Sequence, residues 1–177
     1  MNKTILAAAS IFALCAATAA EAQRAPAPPR PPSNSPGNGA PPVALHGVPI
    51  TTEQAEKVLE AAKAEARRRG TYDTEAIAIV EPTGELVLFW RGTQAQYSAF
   101  EWVIGKARTS ARFQRTTKLL ADELLGGSLH PLAYPGAMVA GAGGVPIVVD
   151  GKLIGGIGTT GGFDQIVADV GVAALNK

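Results

Sequence analysis

The chain is poor in the residues that build metal and redox centres. Among 177 residues there is one cysteine, Cys15, and two histidines, His46 and His130. Disulfide frameworks, iron–sulfur centres and Cys/His zinc sites are excluded by that count. An excess of either charge is missing too. There are 16 basic and 15 acidic residues. With Lys3, Arg24, Arg30 and Glu21 set aside, residues 50–177 carry 13 basic and 14 acidic. No clustered basic excess remains, so no nucleic-acid partner is expected. Charged residues make up only 18% and hydrophobic ones 46%, a balance that allows a core for one domain.

The N-terminus has the layout of an export signal. Lys3 precedes an apolar run from Ile5 to Ala20, and Ala20-Glu21-Ala22 supplies small residues around a cut before Gln23. The run is shorter than the ~20 residues needed to span a bilayer. Residues 1–22 are therefore expected to be a cleaved signal peptide. The mature chain, without cysteine, would be periplasmic or secreted and have no membrane span. Residues 23–49 hold nine of the thirteen prolines. This segment cannot bury enough apolar surface to offset its ordering entropy, and a disordered Pro-rich spacer is expected there, carrying His46.

From Ile50 onward the punctuation is regular. Thr51 and Gln54 form a capping-box pair, and Ala55, Val58, Leu59, Ala62 and Ala66 share one helical face that ends at Gly70. Arg67-Arg68-Arg69 meet the negative end of that helix. Ala76–Val80 and Leu86–Trp90 flank a Pro-Thr-Gly turn and predict a hairpin. Ser98 with Glu101 repeats the capping box before a helix towards Phe113, and Thr117–Leu125 predicts a shorter one. Val145–Val149, Asp150-Gly151 and Lys152–Ile154 make a second hairpin. A last helix begins near Phe163, with Ile166, Val167 and Val170 on one stripe. The order α-β-β-α-α-β-β-α predicts an α+β domain over 50–177, helices packed on an antiparallel sheet.

Thirteen of the twenty glycines lie between Gly126 and Gly171. Among them, Gly156-Ile157-Gly158-Thr159-Thr160-Gly161 reads as a GxGxxG between a strand and a helix. A dinucleotide site needs an acidic residue closing a next strand about twenty residues on, and no strand is expected after the last helix. Two readings remain: a helix start whose amides receive an anion, or glycines serving tight turns and close packing. No glycine-flanked serine nucleophile exists. His130, before Pro131, reads as a ligand or as a polar loop residue. Met138 reads as core filling or as a soft ligand.

The pattern resembles the GlcG/HbpS-like haem-binding family, related to the C-terminal domain of the PduO cobalamin adenosyltransferases. The resemblance is carried by Ala76–Val87, by Lys106-Ala107-Arg108-Thr109-Ser110-Ala111, by Gly143–Ile147, by Asp150-Gly151, and by Gly155–Gly162 with Asp164 and Gly171. It departs at Trp90-Arg91-Gly92-Thr93, where the family often has Arg-Met-Asp-Gly. The resemblance implies a profilin-like fold, homo-oligomers, and haem as cofactor, in iron or redox sensing or storage. It implies Lys106 and Thr109 as haem contacts. His130 and Met138 are then the side chains able to ligate iron, and Arg108 and the amides around Gly158 suit the propionates. An alternative of another class is an enzyme or accessory protein acting on a small carboxylated metabolite held by the glycine-rich loop.

Overall fold

A computed structural model describes residues 44–133, 136 and 138–176. The expected signal peptide and the spacer up to residue 43 lie outside the described residues. The elements run β1 (Leu45–His46), α1 (Thr52–Arg69), β2 (Ala76–Val80), β3 (Leu86–Arg91), α2 (Ala99–Phe113), α3 (Thr117–Leu125), a 3-10 turn (His130–Ala133), β4 (Gly144–Val149), β5 (Lys152–Thr160) and α4 (Asp164–Ala173). β4, β5, β2 and β3 form one antiparallel sheet in that spatial order. The expected α+β architecture is the one observed.

The capping box of α1 is complete. Gln54 N–H donates to Thr51 Oγ1 at 3.2 Å and Thr51 N–H to Gln54 Oε1 at 3.0 Å. Such a cap is worth about 1 kcal/mol. Gly70 closes the helix in the left-handed region, at φ 73°. Arg67 of the arginine run stacks on the ring of Tyr72, Arg68 and Arg69 turn back onto Glu65, and Arg69 also lies over the ring of Phe163. At α2 the expected box does not form. Ser98 is itself helical and makes no side-chain cap bond.

β5 holds the sheet together and is the largest departure from expectation. It continues through the glycines to Thr160, so the GxGxxG string lies within a strand. Along one edge it pairs with β4 for its length. Along the other it pairs with β2 and, beyond the end of β2, in parallel with β1. The spacer was expected to reach Pro49. Instead, Leu45 and His46 sit opposite Lys152 and Leu153, and Gly47 N–H donates to Leu153 O at 2.8 Å. Backbone bonds alone hold this short strand, and Leu45 stays exposed, so no side-chain periodicity announces it.

The two sheet faces differ in bulk. Ile77, Ile79, Ile147 and Ile157 pack under α1 and α4 with Val58, Ala62 and Val167. The opposite face is floored by small residues, with Ala78 beside Gly158 and Val80 beside Gly156 in register. α2 settles into that floor. A Cβ on Gly158 would lie 2.0 Å from Val103 O and one on Gly156 2.6 Å from Ala107 O. The glycines are there because a helix backbone lies against them. On α4 the buried stripe is Val167, Ala168 and Gly171, while Ile166 and Val170 face outward. Gly171 lets α4 come within 3.2 Å of Val58 O, measured from an added Cβ, and this contact rotates the helix away from the stripe expected from hydrophobicity.

Candidate functional site

A cleft of about 1100 Å³ opens where the N-terminal turn of α2 faces the connection from β5 to α4. Its apolar rim is Trp102, Phe163 and Ile166, which are 49%, 42% and 41% exposed. Gln94, Gln96 and Gln165 add amide groups around it. Large apolar side chains grouped in one concavity form a surface suited to an apolar ligand.

Behind the wall of the cleft lies a charged cluster. Lys106, on the buried side of α2 and 2% exposed, donates from Nζ to Thr159 O and to Asp164 Oδ2, both at 2.8 Å. Its ammonium lies 5.8 Å from the Trp102 ring centroid. Asp164 opens α4 and lines the cleft. Its Oδ1 accepts from Gly161 N–H at 3.0 Å and Gly162 N–H at 2.9 Å. The glycine-rich loop therefore does hold a carboxylate, but it is the chain's own. The two amides expected to seat an incoming anion are occupied.

Glu75, at the start of β2, is fully buried on the far side of Gly161. Its Oε2 accepts from Thr71 Oγ1 at 3.3 Å, and its Oε1 has no hydrogen-bond partner. Burial, and then the charge of Asp164, push its pKa up from 4.5 to about 7, against the pull of Thr71, Lys106 and the Thr160 backbone. Glu65 is the opposite case. Hydrogen bonds from Arg68 and Arg69 hold its carboxyl down at about 2.

The residues singled out from sequence have other positions. Lys106 is spent on Asp164. Thr109 is buried and accepts from Val139 N–H at 3.0 Å, which pins the segment after Met138 along α2. Arg108 donates from Nε to Gly84 O at 2.8 Å and so ties α2 to the β2–β3 turn. Gly158 lies buried beneath α2 and cannot meet a propionate. His130 opens the 3-10 turn at the surface, its N–H donating to Ser128 Oγ, and Met138 is partly buried. Among the described residues, none of these six lines the cleft. Sequence reasoning missed Glu75, Trp102 and Phe163 as site residues. The available signals were an acid directly before a wholly apolar strand, an aromatic in the first turn of α2 and an aromatic directly after the glycine-rich run.

Comparison with known proteins places this geometry. A sheet with one Gly/Ala face under a helix and two helices on the other defines an α+β class shared with a Klebsiella pneumoniae protein, ORFY, at TM-score 0.66, 19% identity and coverage of 78% of this chain and 98% of that one. Residues 50–176 match the model of the HbpS-like family, described as haem degrading protein HbpS-like, and the chain belongs to that family. The haem complex of PduOC is 27% identical at TM-score 0.64, covering 73% of this chain and 96% of that one. A double mutant of HbpS from Streptomyces reticuli is 28% identical at TM-score 0.63, covering 77% and 98%. A 15.0 kDa uncharacterized protein from the dhaT–dhaS intergenic region of Citrobacter freundii is 26% identical over 134 residues, 72% of this chain and 93% of its own.

Proposed function

We propose that this protein binds haem in the cleft between α2 and the β5–α4 connection, and does so as a secreted or periplasmic protein. The observation that carries the reading is the open apolar rim of Trp102, Phe163 and Ile166 in a member of this family. The volume of about 1100 Å³ suits a large flat ligand, since sites for drug-sized molecules run to roughly 1,000 Å³. Trp102 and Phe163 offer aromatic surface to a porphyrin, one face of Phe163 being covered by Arg69, and the amides of Gln94, Gln96 and Gln165 can donate to propionates. The export-like residues 1–22 support the location. Among the described residues, no helix is long and apolar enough to cross a membrane.

The macrocycle fits by size and apolarity, but among the described residues the lining holds no imidazole, thioether, thiolate or phenolate, the groups that ligate haem iron in most proteins. His130 and Met138 are proposed as ligands from outside the lining. Hemin titration of four single variants tests the assignment. Trp102→Ala and Phe163→Ala should each weaken binding at least about fivefold, as expected for losing one ring contact. His130→Ala or Met138→Ala should shift the Soret band, and unchanged spectra in both would remove them as iron ligands. Full binding in both ring variants would remove the cleft as the seat.

A further inference from the structure

The cluster behind the cleft wall contains more acid than its single lysine can neutralise. Gly161 stands between two carboxylates. Its N–H is bonded to Asp164 Oδ1, and a Cβ on its other side would lie 2.6 Å from Glu75 Oε2. We propose that Glu75 is a proton switch for the cleft. With Glu75 neutral, Lys106 pairs with Asp164 alone and the Gly161–Gly162 wall is held. With Glu75 charged, two carboxylates face one ammonium across Gly161, the wall loosens, and an anionic ligand is repelled.

The surroundings of Glu75 leave few competing charges. α2 presents Lys106 and α4 presents Asp164. The connection from α1 presents the Thr71 hydroxyl, β5 the Thr160 backbone, and the chain after β3 a backbone contact, Gly92 N–H donating to Glu75 O. At the end of α1, Arg69 is engaged with Glu65 and lies over Phe163. Glu75 Oε1, buried without a partner, cannot be solvated in place when it ionises. A switch centred near pH 7 follows from the position to which burial and Asp164 push this group.

The effect on ligand rests on the cleft being the haem seat, whereas the movement of the wall does not. NMR of the full-length protein from about pH 5 to about pH 9 should show the Gly161 and Gly162 amides shifting with the Glu75 side-chain carboxyl, at one midpoint near 7. In Glu75→Gln those amides should stay flat. Thr71→Val, which removes the hydroxyl on Oε2, should raise the midpoint and serves if Glu75→Gln fails to fold. With hemin as probe, affinity should fall about tenfold across the range in the parent and stay level in Glu75→Gln. A repulsion of that size is what one added unit charge exerts across a protein interior of effective dielectric ~20. Amides that ignore Glu75, or a midpoint unmoved in Thr71→Val, would overturn the switch. Absence of hemin binding at every pH would overturn the haem reading alone, and the amide titration would still decide the switch.

Discussion

Replacing Gly158 by Ala adds one methyl group and tests how α2 is seated. Its Cβ would stand 2.0 Å from Val103 O, 2.8 Å from Ala107 N and 2.9 Å from Val103 C. All three are backbone atoms of one helix, so no side-chain rotation relieves the clash. α2 has to lift by more than an ångström, and with it the contacts of Val103, Ala107 and Ala111 against Ala78 and Val80. Overpacking costs typically 1–3 kcal/mol, and a blocked helix backbone belongs at the upper end, about 3 kcal/mol. For a domain of this size that lowers Tm by roughly 12 °C. Gly151→Ala is the control. Gly151 sits at φ +71 with nothing within 4 Å of an added Cβ, so only left-handed strain applies, about 1 kcal/mol. Thermal and urea unfolding followed by circular dichroism compare the two. Equal losses would refute close seating of the helix and revive a loop reading of the glycine string.

Three further outcomes follow from the charged groups. Lys106→Met should destabilise by about 2–4 kcal/mol in urea, the cost of breaking a buried pair, reduced because Asp164 is 21% exposed; a loss under about 1 kcal/mol would contradict the pairing. Glu75 binds its proton more tightly folded than unfolded, so its contribution is intact below pH 4.5 and is lost as pH rises towards 7. At 1.36 kcal/mol per pKa unit the loss is of the order of 3 kcal/mol. Glu75→Gln should therefore be the more stable protein at about pH 8 and differ little from the parent at about pH 4, and the reverse order would refute the assignment. Glu65 has the opposite sign: its contribution is present above pH 4.5 and is lost as pH falls towards 2, so Glu65→Gln should flatten the acid limb of the stability curve, and an unchanged limb would show that Arg68 and Arg69 do not hold it.

What the sequence made legible was local. Thr51, Gln54 and Gly70 bound α1 because capping is written within a few residues. Asp150 and Gly151, at φ 50° and 71°, turn the second hairpin for the same reason. What stayed hidden depended on a distant backbone. Glycine weakens strands, so β5 was expected to stop at Ile154, and only α2 lying on Gly156 and Gly158 explains a glycine-rich strand. β1 was hidden because two residues carry no period. The site was the least legible part. The Lys106 motif stood out as a ligand contact, yet its partners Thr159 and Asp164, more than fifty residues on, turn it into the support of the cleft wall. Glu75 has no motif at all, and its chemistry arises from burial and from Asp164.

Whether the folded domain has a defined haem seat is decided by hemin titration of the purified full-length protein, followed in the visible spectrum. The Soret band should shift saturably, ending near one haem per chain, and that saturation should be lost when Trp102 and Phe163 are both replaced by alanine. Broad, non-saturating uptake, or the same curve for parent and double variant, would contradict a defined seat.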